Sequence, residues 1–261
     1  MKKIKNNNIV FSLLIILSVF INISCEREID ELKPATFPSI AEVFIDDFSS
    51  GLQYEAWGDV NAFDVDKEVT YKGSASMKFA VPNEGETGGY AGGLFYTTMP
   101  RDLTAYTALT FWIKASKAAE INEIAFGLND GLKTTLDSIQ VTTNWRKVII
   151  PIPDPSKLKE VSSMLSYSEA PEDGLGYTFW IDEVKFEKLG TIAHPRPIIS
   201  DGLDKEVTAV NGLSIQVDGL SVTYNMPDGL DQSVKAAPAY FDFVSSNNSV
   251  AMVDSVGQVS V

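Results

Sequence analysis

Cysteine and histidine are nearly missing from this chain: its 261 residues carry one of each. A disulfide needs two cysteines, so none closes within the chain. A zinc centre built from Cys and His lacks its ligands. Any Ser-His-Asp or Cys-His mechanism would rest on His194 alone. Positive charge is scarce too. Lys and Arg number 21 against 35 Asp and Glu, a formal net charge of −14. Such a chain repels phosphate backbones, which argues against nucleic acid as a partner. Long segments with a helical period are also absent. What is present is apolar and turn-rich. With 44% hydrophobic residues and 18 Gly, the chain can build one large domain or two small ones from strands.

The leader reads separately from the fold. Lys2, Lys3 and Lys5 precede an apolar run at 9–21, which is too short to span a bilayer and the right size for a signal-peptide core. Asn22-Ile23-Ser24-Cys25 follows. The small Ser24 before the sole Cys resembles a bacterial lipobox, although Asn22 stands where that motif usually carries Leu. The resemblance implies a signal peptide over 1–24, lipidation of Cys25 and outer-membrane lipid as a partner. A signal-peptidase-I site followed by an unmodified thiol is the other reading. Residues 25–41 are charged, carry Pro34 and Pro38, and read as a tether. The acidic stretch after Cys25 resembles the surface-export signal of lipoproteins in glycan-scavenging Gram-negative bacteria. That implies a lipid-anchored, cell-surface location on the outer membrane, beside a glycan importer.

From Val43 the pattern is β. Alternating or apolar segments stand at 44–48 (FIDDF), 74–81, 93–98, 109–115, 121–128, 145–152 and 177–186. Turn signals separate them, among them Gly88-Gly89, Asn129-Asp130-Gly131 and Asp173-Gly174. Short strands at this spacing predict an all-β, antiparallel sandwich or barrel. The ordered strings IDDFS, Trp57, YKGSASMKF, LTFWIKAS, WRKVIIPI and YTFWIDEVKFEK resemble the jelly-roll carbohydrate-binding modules of the galactose-binding-like type. For residues 42–189 the resemblance implies a two-sheet jelly roll, a structural calcium and a glycan groove, usually on the concave sheet.

The calcium also has a residue-level argument. Alternation puts Asp46 on the face of Phe44 and Phe48, and Asp182 on the face of Trp180, Val184 and Phe186. Carboxylates on apolar faces are costly unless paired or metal-bound, and Ca²⁺ takes several oxygen ligands. Asp46 and Asp182, with Asp47 as a third, are the candidate metal ligands. A β-bulge at Asp182-Glu183 that turns the acid outward, or a pair with Lys, would serve instead. Glycan binding needs exposed aromatic faces and polar side chains. Tyr54 and Trp57 lie in a turn-rich segment, and Tyr90 sits among Gly88, Gly89, Gly92 and Gly93. Asn129 and Asp130 end a strand, and Tyr167 lies in a loop-like stretch. These six are the candidate ligand contacts, each with a core reading beside it. Trp112 and Trp180, inside apolar strands, read as core.

Residues 190–198 read as a linker holding two prolines, with His194 as a linker residue. Beyond it, Asx-Gly-Leu recurs at 201–203, 211–213, 218–220 and 228–230, each a tight turn feeding a strand. Ser245-Ser246-Asn247, Val250-Ala251, Val253-Asp254 and Gly257 resemble the hallmark of the bacterial Ig-like group 2 module. Residues 199–261 are therefore expected to be a truncated Ig-like β-sandwich. Glycosidases need two carboxylates flanking one bond, and the only acidic loop near a candidate aromatic is Glu169, Glu172 and Asp173. It reads as a solvated loop. The expected function is a non-catalytic, surface-anchored lipoprotein binding a polysaccharide such as a β-glucan. The alternatives are the front of a glycoside hydrolase whose catalytic module lies beyond Val261, and a spacer or adhesin that binds no sugar.

Overall fold

A computed structural model describes residues 36–86 and 88–261. Cys25, the leader and the tether up to residue 35 lie outside the described residues. Among the described residues no helix is long and apolar enough to cross a membrane.

The strands, in chain order, are β1 (Glu42–Phe44), β2 (Leu52–Gly58), β3 (Phe63–Asp66), β4 (Ser76–Val81), β5 (Ala91–Arg101), β6 (Ala108–Ala115), β7 (Ala119–Phe126), β8 (Thr134–Val141) and β9 (Arg146–Pro151). They continue with β10 (Val161–Glu169), β11 (Tyr177–Glu187), β12 (Ala193–Ile198), β13 (Ser214–Gln216), β14 (Ser221–Asn225), β15 (Asp231–Ala236), β16 (Met252–Val253) and β17 (Gln258–Ser260). The smaller sheet of the sandwich runs β3-β4-β11-β6-β9, with β1 paired to the far end of β11. The larger runs β12-β14-β15-β8-β7-β10-β5-β2. The result is an all-β, antiparallel jelly-roll sandwich. β2, β3, β8 and β10 escaped the sequence reading. β8 and β10 are rich in Thr and Ser (TTLDSIQV, VSSMLSYSE), which blurs alternation even where one face is fully buried.

The core lies between the sheets. Phe44, Phe79, Phe95, Phe111, Phe126, Phe179 and Phe186 are all buried there. Phe79 and Phe179 stack with centroids 4.7 Å apart. Burying such rings supplies about 2–3 kcal/mol each from the area removed from water. Arg101 is buried at the end of β5. Its guanidinium donates to the carbonyls of Ile40 (3.3 Å), Glu42 (2.7 Å) and Ser50 (3.3 Å) and to Ser49 Oγ (2.8 Å). Four oxygens thus meet its donors, and burial lowers its pKa.

Two strand expectations are corrected. β1 stops at Phe44, and the chain bends back through a Phe44–Phe48 bridge. Asp46 therefore does not alternate with the two phenylalanines; it is exposed on the bend. In β11 the register shifts between Asp182 and Lys185, and Glu183 has φ 52°. This bulge changes the phase. Asp182 shares the outward side with Trp180, while Val184 and Phe186 enter the core.

The C-terminal part is also rearranged. The expected linker 190–198 is mostly strand β12, with His194 exposed at φ 51°. β12, β14 and β15 extend the larger sheet, with β15 pairing to β8 through Lys235–Thr135 and Ala236–Thr134. β13, β17 and β16 form a separate three-stranded sheet. Residues 199–261 thus divide between two sheets instead of closing a sandwich of their own. The reason is the edge of β8, an unpaired ladder that β15 satisfies. Tyr240 Oη donates to the Leu132 carbonyl at 3.0 Å, and Gln232 Nε2 to that of Ile149 at 2.5 Å.

Candidate functional site

The outward side of the larger sheet reads directly from its register. Phe95, Leu165, Tyr167, Ile124 and Phe126 point to the core, so their strand neighbours point out. One outward row crosses four strands as Glu55, Leu94, Ser166 and Ala125, then continues to Thr135. The next crosses as Trp57, Gly92, Ser168, Glu123 and Asp137. Gln53 and Tyr96 pair in a third row. The face therefore has an aromatic end at Trp57 and Tyr96, a middle in which Leu94, Ser166 and Ala125 are buried and Gly92 and Ser168 are small, and a charged end. At that end Lys133 pairs with Glu123 at 2.7 Å and Lys235 pairs with Asp137.

Tyr90 belongs to this face. A Cβ on Gly92 would lie 2.7 Å from Tyr90 Cε2, and one on Gly58 2.9 Å from the same ring. Gly92 is directly opposite Trp57. The cleared glycine thus seats the Tyr90 ring beside Trp57. Ser166 Oγ is the only buried side-chain polar atom among the described residues without a hydrogen-bond partner. It lies mid-row on this outward face. Trp57 Nε1 donates to Glu55 Oε1 at 3.3 Å, which sets the indole over the edge strand.

Other candidates are not brought to this face. Tyr167 is not in a loop: it lies in β10, is 1% exposed and points into the core. Tyr54 points the same way, with its ring over Gly93 and its hydroxyl 2.8 Å from that of Tyr167. Burial raises both phenol pKa values. Asp130 is occupied structurally, accepting the Ser162 and Ser163 amides at 3.0 and 2.9 Å. Asn129 is exposed in the same short turn, and its backbone amide donates to Ser163 Oγ at 3.0 Å. Tyr96, Glu55 and Ser168 were missed. Alternation through GLFYTT was the available signal for Tyr96.

The candidate metal ligands separate in part. Asp182 is 0% exposed. Its carboxylate accepts the amides of Tyr71 (2.7 Å), Lys72 (3.2 Å) and Glu183 (2.7 Å). Burial raises its pKa despite those bonds. Asp46 holds the other end of the same loop through the amides of Ser74 and Ala75. Ser74's amide, first among these bonds, lowers its pKa. Asp47 accepts the Phe48 amide at 2.8 Å through one of its carboxylate oxygens. Two carboxylates flanking one loop suit calcium in donor chemistry. Among the described residues, however, no three His, Cys, Asp or Glu side chains cluster as a metal site.

The acidic loop is not wholly solvated. Glu169 is buried at the end of β10, accepting Tyr177 Oη at 2.8 Å and the Asn122 amide at 2.5 Å. Burial pushes its pKa up to about 7. Glu172 accepts the Glu120 amide at 3.1 Å. Trp112 and Trp180 are corrected as well. Both are half-buried on the outward side of the smaller sheet, not in the core.

Residues 42–188 match the family described as Carbohydrate binding domain 30. The chain belongs to this family. Its jelly roll is similar to that of a solved family 30 carbohydrate-binding module, at 19% identity over 56% of this chain and 97% of the other, with a TM-score of 0.42. A family 30 module from a cellulosomal cellulase of Clostridium thermocellum matches at 21% identity over 59% and 96%, TM-score 0.39. A family 11 module from Clostridium thermocellum, solved with a β-1,3-1,4-mixed-linked tetrasaccharide, matches at 18% identity over 59% and 98%, TM-score 0.40. No curated protein matches the chain. The family 30 domain accounts for strands β1–β11, and carbohydrate is its partner.

Proposed function

We propose that the chain is a non-catalytic polysaccharide binder anchored to the outer membrane through Cys25. Its glycan site is the outward face of the larger sheet. The observation that carries this reading is the register that sets Trp57 in one outward row with Gly92 and Ser168 on the next two strands, with Tyr90 seated beside it. Rings at one end stack on sugar C–H faces. The small residues Gly92 and Ser168 across from Trp57 leave room for a chain to lie flat.

The remaining parts of the reading follow from chemistry. A structural calcium would be held by Asp46 and Asp182 and would fix the loop between them. A glycan importer would sit beside the domain on the cell surface. The test is affinity electrophoresis of the chain on a panel of soluble polysaccharides, β-glucans included. Retardation that Trp57→Ala and Tyr90→Ala both weaken supports the reading. Absence of retardation on every glycan defeats it.

A further inference from the structure

Three of the chain's four tryptophans lie on the outward side of the smaller sheet, opposite the face just described. The register sets Trp180 across from Lys78 and Lys114, and Trp112 across from Asp182 and Lys147. Trp145 stands one residue before β9 and joins them. Tyr71 comes from the loop that Asp182 holds down. Its ring stacks on Trp112 at 3.8 Å with 12° between planes and meets Trp145 edge-on at 6.0 Å. Lys114 Nζ lies 5.9 Å from the Trp145 ring centroid and 5.8 Å from that of Trp180. Trp180 Nε1 donates to Asp66 Oδ2 at 2.8 Å. Tyr71 remains 39% exposed.

This cluster is unusual for an outer surface. Large aromatics gain by burial, and a contiguous set left half-buried at the surface, with Tyr71 exposed, points to an interaction site. The cluster is also held in place. The buried Asp182 carboxylate binds the Tyr71 and Lys72 amides, which lays Tyr71 flat on Trp112. The indole of Trp180 is fixed by Asp66. Lys114 has no carboxylate partner among the described ion pairs and rests on two rings instead. Flat rings beside a free ammonium donor suit a sugar, whose ring presents C–H groups to one side and hydroxyls at its rim.

We propose that Tyr71, Trp145 and Trp180 form a second carbohydrate-binding platform, with Lys114 as the hydrogen-bond donor to sugar hydroxyls. Asp182 is its positioning residue. The occupant is a glycan chain, and the two faces would let one domain hold two chains, or two parts of one chain. The second platform does not depend on the first.

The test uses the whole chain. Trp57→Phe leaves Trp112, Trp145 and Trp180, all on this side of the smaller sheet, as the only indoles, so a saturable change in its fluorescence on adding a retarding polysaccharide reports this face. In affinity electrophoresis, Tyr71→Ala and Trp145→Ala should each weaken binding about fivefold, the scale of one lost stacking contact. Trp145→Phe should restore most of it. Thermal melts accompany each variant, so that a folding defect is recognised; Lys114→Met, which keeps the aliphatic stem, is the check if Tyr71→Ala unfolds. Unchanged retardation of folded Trp145→Ala and Lys114→Met overturns the platform, and a Trp57→Ala loss beside it leaves the first face standing. The converse pattern supports the platform and removes the first face. No retardation of the wild-type chain by any polysaccharide overturns both.

Discussion

The hydroxyls of Tyr54 and Tyr167 meet at 2.8 Å on the inner side of the larger sheet, from strands separated by β5. The pair ties the edge strand to the centre of the sheet from below. Both rings face away from the proposed glycan face. Tyr167→Phe should therefore cost about 1 kcal/mol of stability, the net worth of one hydrogen bond. Urea unfolding should show the loss while polysaccharide retardation stays unchanged. A weakened retardation with intact stability would return Tyr167 to the site.

The loop between Val69 and Ala75 depends on Asp182. Asp182→Ala leaves the amides of Tyr71 and Lys72 without their acceptor in a buried place. The expected cost is about 3 kcal/mol or more, since each orphaned donor costs about 1–3 kcal/mol. With calcium bound between Asp46 and Asp182, EDTA should lower the melting temperature of the wild-type chain and leave Asp182→Ala unaffected. A wild-type melt that EDTA does not move counts against the calcium.

Glu169 gives a pH signature. Its folded pKa of about 7 lies above its ordinary 4.5, because burial disfavours the charge. Between those values the folded state keeps a proton that the unfolded chain has released. Stability thus falls as pH rises from about 4.5 to about 7. Glu172 and Glu120 face the same carboxyl and sharpen the penalty, while the Tyr177 hydroxyl and the Asn122 amide, which donate to it, relieve part of it. Glu169→Gln keeps an acceptor for the Asn122 amide and a polar partner for Tyr177. Its melting temperature should be flat across that window and exceed wild type above pH 7. Parallel melting curves for the two proteins would contradict the buried-carboxyl account.

Removing residues 190–261 should harm the family 30 domain. The truncation strips β15 from β8 and uncovers the β9 side, where Gln232 and Tyr224 bond the carbonyls of Ile149 and Ile152. A bare edge templates association. The truncated chain should self-associate in sedimentation velocity, whereas the longer chain should not. A monomeric truncation with an unchanged melt would show that β8 needs no cover.

Much of the sandwich was legible because alternation is strong where one face is apolar. β4, β6, β9 and β11 announce themselves through Met77, Phe79, Phe111, Val148 and Phe179. That Trp57 and Tyr90 stay out of the core was legible through their glycine-rich, polar settings, and Gly92 shows why for Tyr90: its missing Cβ seats the ring. The tryptophans at 112 and 180 misled. Inside LTFWIKA and YTFWIDE both neighbours are apolar, and a strand with phenylalanine on its inner side can afford tryptophan on its outer one. Only pairing partners reveal the side. The bulge at Glu183 was legible as the alternative to a metal at Asp182, because a carboxylate on an apolar face calls for either, but the positive φ that decides between them leaves no mark in composition. The partnership of β15 with β8 was out of reach for another reason. It joins positions about a hundred residues apart through two residue pairs, and no local pattern records it.

Arg101 has a mechanical consequence. Its guanidinium grips the carbonyls of Ile40 and Glu42 on the incoming chain and that of Ser50 beyond the bend. Tension entering from the N-terminal side meets this grip before it reaches the pairing of β1 with β11. The load is spread over several short polar bonds anchored at the end of β5, one of the longest strands. A chain tugged from that side would give way by releasing one arginine first, and the sheets behind it would stay closed until then.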